Sequence, residues 1–215
     1  MPKLTNTCFA VSSVIENKTL AQAKTYLRDN FGNIYNQPPH ITYSLIPIKG
    51  VYLEPLKEEI DRYFLNTNKF DLQLTDLMTD TDKDDEFISI HFADDSAIRK
   101  IHADILTITN KYRNGYIRTK DLKRINDGVY TSDKIDNIKK YGYSRVLDDY
   151  HPHITIGNIT SEGADLEGLE KDIKKQLAEV INSQLVIDNI RAIFYQDAER
   201  EAEMKIRWQG SYKLN

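Results

Sequence analysis

The chain has 215 residues, of which 40% are hydrophobic, and a formal net charge of −4 at pH 7. A chain of this length can bury one large core, or two small lobes packed on each other, without stabilising cross-links. Its net negative charge argues against a protein that binds long duplex DNA through a basic surface. The single cysteine, Cys8, excludes an intramolecular disulfide and fits a cytoplasmic protein. No apolar run reaches the ~18 residues that would span a membrane, so we expect no membrane partner.

The first half of the chain alternates between the periodicities of strands and helices. In chain order, these patterns predict a strand at 5–15, a helix at 20–31, a strand at 40–46, a helix at 53–64, an antiparallel pair of strands at 70–77 and 87–92, and a helix at 96–112. Hairpins that stand beside helices, without strict alternation of strand and helix, are typical of α+β proteins.

The segment from 113 to 150 has weak periodicity, because three glycines interrupt it. Its beginning belongs to a run of basic residues that extends from Lys111 to Arg124, with tyrosines interleaved. This run is either a solvated surface or a flap that attracts an anionic ligand. Beyond the segment, we predict strands at 151–157, 185–195 and 204–208, and a helix at 166–181.

The sequence around His40 recurs around His153. Aligned at a constant offset, Pro39-His40-Ile41-Thr42 matches Pro152-His153-Ile154-Thr155, and the helices that follow match at Leu53 with Leu166, Leu56 with Leu169 and Ile60 with Ile173. Chance recurrence of a short motif would not bring the apolar face of the next helix with it. We infer a duplicated strand-loop-helix-strand unit. The predicted fold is therefore α+β with two lobes, each an antiparallel sheet with helices packed outside, and a cleft between the lobes.

The two motifs have the composition of an acid-base pair. Side chains two residues apart on a strand share a face, so His40 projects with Thr42, and His153 projects with Thr155. An imidazole has a pKa of about 6.5, so one neutral and one protonated histidine can coexist near neutral pH. The threonine hydroxyls can donate hydrogen bonds to phosphate oxygens. This combination suits the cleavage of a phosphodiester, with these four residues as the catalytic group.

At these residues the chain resembles the 2H phosphoesterase superfamily, which includes 2′-5′ RNA ligase-like proteins and 2′,3′-cyclic nucleotide phosphodiesterases. Members of that superfamily have two His-x-Thr/Ser motifs, each on a strand of a two-lobed α+β fold. The resemblance implies a single bilobal domain over residues 1–215, with an insertion at about 113–150 between the motifs. It also implies a phosphodiesterase of the hydrolase class, with reversible RNA ligation as a further activity. Such an enzyme needs no metal or other cofactor and acts on cyclic phosphates or 2′,5′-linked nucleotides.

Contacts with the rest of the substrate are expected from side chains near the motifs and in the segment between them. The candidates are Tyr43, Tyr116, Arg118, Tyr143 and His151. Tyr43 is alternatively a core residue, because it alternates with His40 on its strand. His151 is expected at the outer rim of the cleft. The two other histidines, His91 and His102, are predicted to be structural or exposed.

A binding module is the alternative to an enzyme, since the same cleft could hold a nucleotide or RNA without turning it over. In either case, we expect a nucleotide or short RNA as the partner of a monomeric protein. A metal site is disfavoured, because no His-x-x-x-His pair or cysteine pair occurs and the acidic run at 76–95 has the pattern of a turn between strands.

Overall fold

The computed structural model describes residues 7–31, 37–82, 85–159, 166–181, 183–196 and 205–215. The strands are β1 (Thr7–Val14), β2 (His40–Pro47), β3 (Phe70–Asp82), β4 (Asp85–Phe92), β5 (Ile154–Ile159), β6 (Gln184–Ile187), β7 (Asn189–Gln196) and β8 (Lys205–Lys213). The helices are α1 (Lys18–Phe31), α2 (Leu53–Leu65), α3 (Ser96–Arg113), α4 (Thr119–Asn126), α5 (Ser132–Tyr141) and α6 (Leu166–Gln176). Short 3₁₀ turns occur at Gly50–Tyr52 and Leu147–Asp149.

The strands form one eight-stranded sheet in the order β6-β3-β4-β5-β2-β1-β7-β8. Neighbouring strands pair antiparallel throughout this order. The sheet divides at its centre into a β5 lobe (β6-β3-β4-β5) and a β2 lobe (β2-β1-β7-β8), which meet where Ile41 pairs with Ile154. The predicted two-lobed α+β fold is confirmed.

The duplication places the two motif strands next to each other at the centre of the sheet. In each lobe a strand is followed by a helix and then by the motif strand, as β1-α1-β2 and as β4-α3 leading to β5. A second helix, α2 or α6, follows each motif strand. The chain then diverges, because α6 leads to β6 in its own lobe, whereas α2 leads to β3 in the other lobe.

The apolar faces predicted from periodicity form the core. Residues at helical spacing are buried on α1, α2 and α3, including Leu20, Leu27, Leu56, Ile60, Ile98 and Ile105. On the motif strands, Ile41, Ile154 and Ile156 are also fully buried, and all of these side chains belong to one hydrophobic cluster. Because alternate residues of a strand face opposite sides, burial of Ile41 and Ile154 turns the motif histidines and threonines away from the core.

The inter-motif segment, residues 113–150, contains α4, α5 and the 3₁₀ turn at Leu147–Asp149. Arg113 is 4% exposed, and its guanidinium donates to the carbonyl of Tyr116 at 2.9 Å and to those of Lys139 and Lys140 at 2.7 Å. Gly142 lies so close to Pro47 that a Cβ atom there would approach the proline ring to 2.7 Å. Arg113, at the start of the basic run, therefore anchors the segment. This contact does not fit the alternative prediction that the run is a flap.

The predicted strand at 185–195 is two strands. β6 ends at Ile187 and pairs with β3, whereas β7 begins at Asn189 and pairs with β1, so the two lie in different lobes. The prediction of one strand was wrong because apolar residues continue on both sides of Asp188. Only the polar pair Asp188-Asn189 marks the point where the chain passes from one lobe to the other.

None of the helices in the described ranges combines the length and the apolar character that crossing a membrane requires.

Candidate active site

The register between β2 and β5 brings the two motifs together. Ile41 pairs with Ile154 in antiparallel orientation, so His40 lies across from Thr155 and Thr42 across from His153. Side chains directly opposite each other in such a pair lie on one face with Cβ atoms about 5 Å apart. The two imidazoles and two hydroxyls predicted from sequence therefore share one face at the joint between the lobes.

Both motif histidines are oriented by the same backbone contact. Nδ1 of His40 lies 2.9 Å from the carbonyl oxygen of Pro38, and Nδ1 of His153 lies 2.8 Å from that of His151. Because a carbonyl only accepts, each Nδ1 carries the proton and donates it. In the neutral ring Nε2 is then the unprotonated nitrogen, which is the atom that a general base uses. The two copies of the motif thus share the backbone hydrogen bond that sets the tautomer of the histidine ring.

The pKa of His40 is lowered from its ordinary value. The largest cause is burial, and the nearby positive charges of Lys24, Arg191 and His153 lower this pKa further, against the hydrogen bond to Pro38 that raises it. Arg191 belongs to this side of the sheet because it pairs with Ser12, which in turn pairs with Thr42. His40 is accordingly neutral at pH 7 and able to accept a proton.

A cleft of about 730 Å³ opens over the motifs. Its lining residues are His40, Thr42, Tyr43, Ser44, Leu45, Ile46, Met78, His91, His102, Lys134, Tyr143, Arg145, Val146, Asp149, Tyr150, His151, His153 and Thr155. All five histidines of the chain line it. Among the described residues, no group of three or more histidine, cysteine or carboxylate side chains has the arrangement that would hold a metal ion.

A family model described as a protein of unknown function (DUF1045) matches residues 67–204, more than half of the chain. The chain belongs to the DUF1045 family. The matched range contains the second motif and begins after the first. The comparison with curated proteins gave no match.

Solved structures share the fold of this DUF1045 member over nearly its whole length. Kluyveromyces marxianus Usb1 is 11% identical with a TM-score of 0.52, and the match covers 99% of this chain and 100% of that one. Escherichia coli LigT complexed with 3′-AMP is 9% identical with a TM-score of 0.55, and the match covers 98% of each chain. A phosphoesterase is 10% identical with a TM-score of 0.53, again over 98% of each chain. The fold expected from the 2H resemblance is therefore confirmed, and at these identities the likeness concerns the fold alone.

His91 lies beside His153, which sequence reasoning missed. The two ring centroids are 6.2 Å apart, and Nε2 of His91 lies 3.2 Å from the hydroxyl of Ser89. The contact arises because Ile90 pairs with Ile154 in antiparallel orientation. His91 follows Ile90 and His153 precedes Ile154, so the two histidines lie opposite each other. The sequence indicated that His91 shares a strand face with Ser89, two residues before it. It did not indicate that His153, which is far away in the sequence, lies beside that face.

His102 is a structural member of the cleft wall. Its buried ring donates from Nδ1 to the carbonyl of Tyr43 at 2.6 Å and accepts at Nε2 from the N–H of Leu147 at 3.1 Å. The ring stacks on Tyr150 at 3.9 Å, and the Tyr150 hydroxyl donates to the carbonyl of Thr42 at 2.8 Å. His102 and Tyr150 thus bind the inter-motif segment of this DUF1045 member to the first motif strand.

Two of the predicted substrate contacts, Tyr43 and Arg118, have buried side chains. The Tyr43 side chain has no exposed surface, and its hydroxyl lies 2.9 Å from that of Ser13, so it packs in the core as the strand alternation allowed. Arg118 is 5% exposed and donates to Asp121 at 2.5 Å. The Arg118 guanidinium is thus buried and paired with Asp121, and Arg118 is not among the cleft-lining residues.

The other three predicted contacts divide between the cleft and its surroundings. Tyr116 is not among the cleft-lining residues, and the Nζ atom of Lys49 lies 5.8 Å from its ring centroid. Tyr143 and the exposed His151 both line the cleft. Lys134 and Arg145 also line it and were not singled out from the sequence, because the periodicity of residues 113–150 is weak.

Proposed function

We propose that this protein is a metal-independent phosphodiesterase that acts on a cyclic phosphate or a 2′,5′-linked nucleotide or RNA. The observation that carries the proposal is the pairing of the two motifs across Ile41 and Ile154, with both imidazoles held through Nδ1 in the same tautomer. One phosphate over this joint would have a histidine and a threonine on each side.

In the proposed hydrolysis, neutral His40 is the general base and protonated His153 the general acid. Nε2 of His40 removes a proton from water while the water oxygen forms a bond to phosphorus. The bond from phosphorus to the leaving oxygen breaks, and that oxygen takes the proton of His153 Nε2. His40 suits the role of base because burial and the positive charges around it lower its pKa. A proton exchange through water restores both rings.

Thr42 and Thr155 are proposed to bind the non-bridging phosphate oxygens. Thr42 is exposed and Thr155 is half-buried, and each lies across the strand pair from the histidine of the other motif. A hydroxyl that donates to oxygens on which charge accumulates stabilises the transition state more than the ground state. The fold likeness to LigT, whose structure is known with 3′-AMP, supports a nucleotide as the ligand.

Turnover in the presence of EDTA tests the proposal. The substrates are nucleoside 2′,3′-cyclic phosphates, 2′,5′-linked and 3′,5′-linked dinucleotides and cyclic dinucleotides, followed by phosphorus NMR. We expect turnover of at least one of the first two classes, and a loss of about 10²- to 10⁴-fold in kcat for His40→Ala and for His153→Ala. Thermal melting of each variant checks that the fold persists.

The alternative, a module that binds nucleotides without turning them over, predicts a different result with the same substrates. A module that only holds nucleotides would release heat on association in calorimetry and leave every phosphorus spectrum unchanged. Activity that survives in either histidine variant would also contradict the proposed roles.

A further inference from the structure

The permanent charges of the cleft come from the inter-motif segment. Apart from the histidines, the charged side chains among its lining residues are Lys134, Arg145 and Asp149. Asp149 accepts a hydrogen bond of 2.7 Å from the amide of Asn137, which fixes its carboxylate beside the segment. The motif strands contribute no permanently charged side chain to the lining. Among the residues that line the cleft, the two cations therefore come from the inter-motif segment and not from the motif strands.

The two cations lie on either side of Tyr143 in the chain. Lys134 lies in the first turn of α5, and Arg145 lies between α5 and the 3₁₀ turn, both with exposed side chains. Tyr143 also lines the cleft, and the guanidinium carbon of Arg118 lies 5.5 Å from its ring centroid. Because Arg118 is buried and paired with Asp121, it holds the Tyr143 ring against a fixed support. An aromatic ring and two cations that line the same cleft offer a stacking surface for a base and charged groups for a phosphate.

The backbone that carries these cations is held firmly against the first motif strand. Tyr150 donates to the carbonyl of Thr42, and His102 joins the carbonyl of Tyr43 to the N–H of Leu147. At the other end, Arg113 binds two carbonyls at the end of α5. A preorganised pair of cations binds an anion with less loss of conformational entropy than cations on a mobile loop.

We propose that Lys134 and Arg145 form a subsite for a second phosphate, so that the substrate is a nucleotide or short RNA terminus with a 5′-phosphate beside the phosphodiester at the histidines. This inference rests on the proposed function and specifies its substrate. Arginine and lysine bind phosphate oxygens through charge-assisted hydrogen bonds, which are about twice as strong as neutral ones. A substrate with one phosphate at the histidines leaves this subsite empty.

Binding of adenosine 3′,5′-bisphosphate compared with adenosine 3′-monophosphate tests the subsite directly. By calorimetry at moderate salt, we expect the bisphosphate to bind the wild-type protein about tenfold more tightly. Lys134→Ala and Arg145→Ala should each remove most of this preference. Lys139→Ala is the matched control, since Lys139 is an exposed lysine of the same helix outside the cleft lining, and it should keep the preference. Equal affinity of the wild type for both ligands overturns the inference.

Turnover separates this inference from the proposed function. With nucleoside 2′,3′-cyclic phosphates that carry or lack a 5′-phosphate, Lys134→Ala and Arg145→Ala should lower kcat/KM about tenfold more for the 5′-phosphorylated substrate. Turnover of both substrates by the wild type with no preference would refute the subsite and leave the phosphodiesterase standing. A bisphosphate preference in binding, with no turnover of these cyclic phosphates or of 2′,5′-linked dinucleotides, would refute the phosphodiesterase and leave the subsite standing. Absence of both binding and turnover would refute both.

Discussion

The neutral state of His40 is set by burial and by positive charge. Burial is the largest cause of its lowered pKa, and Lys24, Arg191 and His153 follow. Lys24 is itself partly buried, and burial lowers its pKa to about 8, so it is mostly charged at pH 7. Each cation raises the free energy of protonated His40, and removing one must therefore raise the pKa of His40.

We expect Lys24→Gln and Arg191→Gln to move the acidic limb of the kcat/KM profile to higher pH. In the free enzyme this limb reports the pKa of the general base, so activity that the wild type keeps below pH 6.5 should be lost earlier in the variants. The measurement is kcat/KM between pH 4.5 and 8 at constant ionic strength. Arg28→Gln, on the same helix as Lys24 but paired with Asp29, should leave the limb in place. Acidic limbs that coincide in all four proteins would contradict the assignment of His40 as the base.

At the scale of an element, His102 of α3 holds the inter-motif segment to β2 only while its ring is neutral. Protonation would remove the acceptor that the N–H of Leu147 uses. Burial is the largest cause that lowers the pKa of His102 in the folded protein. A group with a depressed folded pKa stabilises the fold fully above its unfolded pKa of about 6.5, and this stabilisation is lost as the pH falls through the folded value.

We therefore expect His102→Leu to lower the free energy of unfolding by about 2 to 4 kcal/mol at pH 7.5, because the Tyr43 carbonyl and the Leu147 N–H lose their partner. The gap between wild type and variant should narrow toward pH 5, where the wild type loses its advantage. Urea unfolding at both pH values measures this. Tyr150→Phe, which loses one hydrogen bond to Thr42, should cost about 1 kcal/mol at either pH. If the difference in unfolding free energy between wild type and His102→Leu stays constant with pH, His102 does not join Tyr43 to Leu147 as a neutral ring.

Local patterns predicted the motif residues because they depend only on strand alternation and on the repeat. His40 and Thr42 alternate with buried Ile41, and the same holds in the second copy. His91 was missed because its place beside His153 depends on the register between β4 and β5, which alternation within one strand does not contain. The burial of Arg118 was not predicted, because it depends on the ion pair with Asp121 inside the folded segment. Side chains set by long-range register or by a buried partner are thus the ones that a single sequence leaves open.

For the whole molecule, the joint between the lobes is both part of the core and the support of the site. The paired Ile41 and Ile154 have no exposed surface, and they separate the histidine and threonine of each motif. Elsewhere in the same hydrophobic cluster, Leu56 and Ile60 of α2 are equally buried but lie away from the cleft lining. These two pairs of residues allow stability and site geometry to be varied separately.

We expect all four alanine variants to lower the free energy of unfolding by about 2 to 5 kcal/mol, since each leaves a cavity in the core. Only Ile41→Ala and Ile154→Ala should also lower kcat by 10-fold or more at a temperature where every variant is folded, because a displacement of about 1 Å between the motifs is enough for such a loss. The two joint substitutions should be non-additive in both quantities, since the residues are in contact. Steady-state kinetics beside chemical unfolding measures the two effects on the same samples. If kcat falls in proportion to stability at α2 as well as at the joint, the β2-β5 pairing has no special part in holding the site.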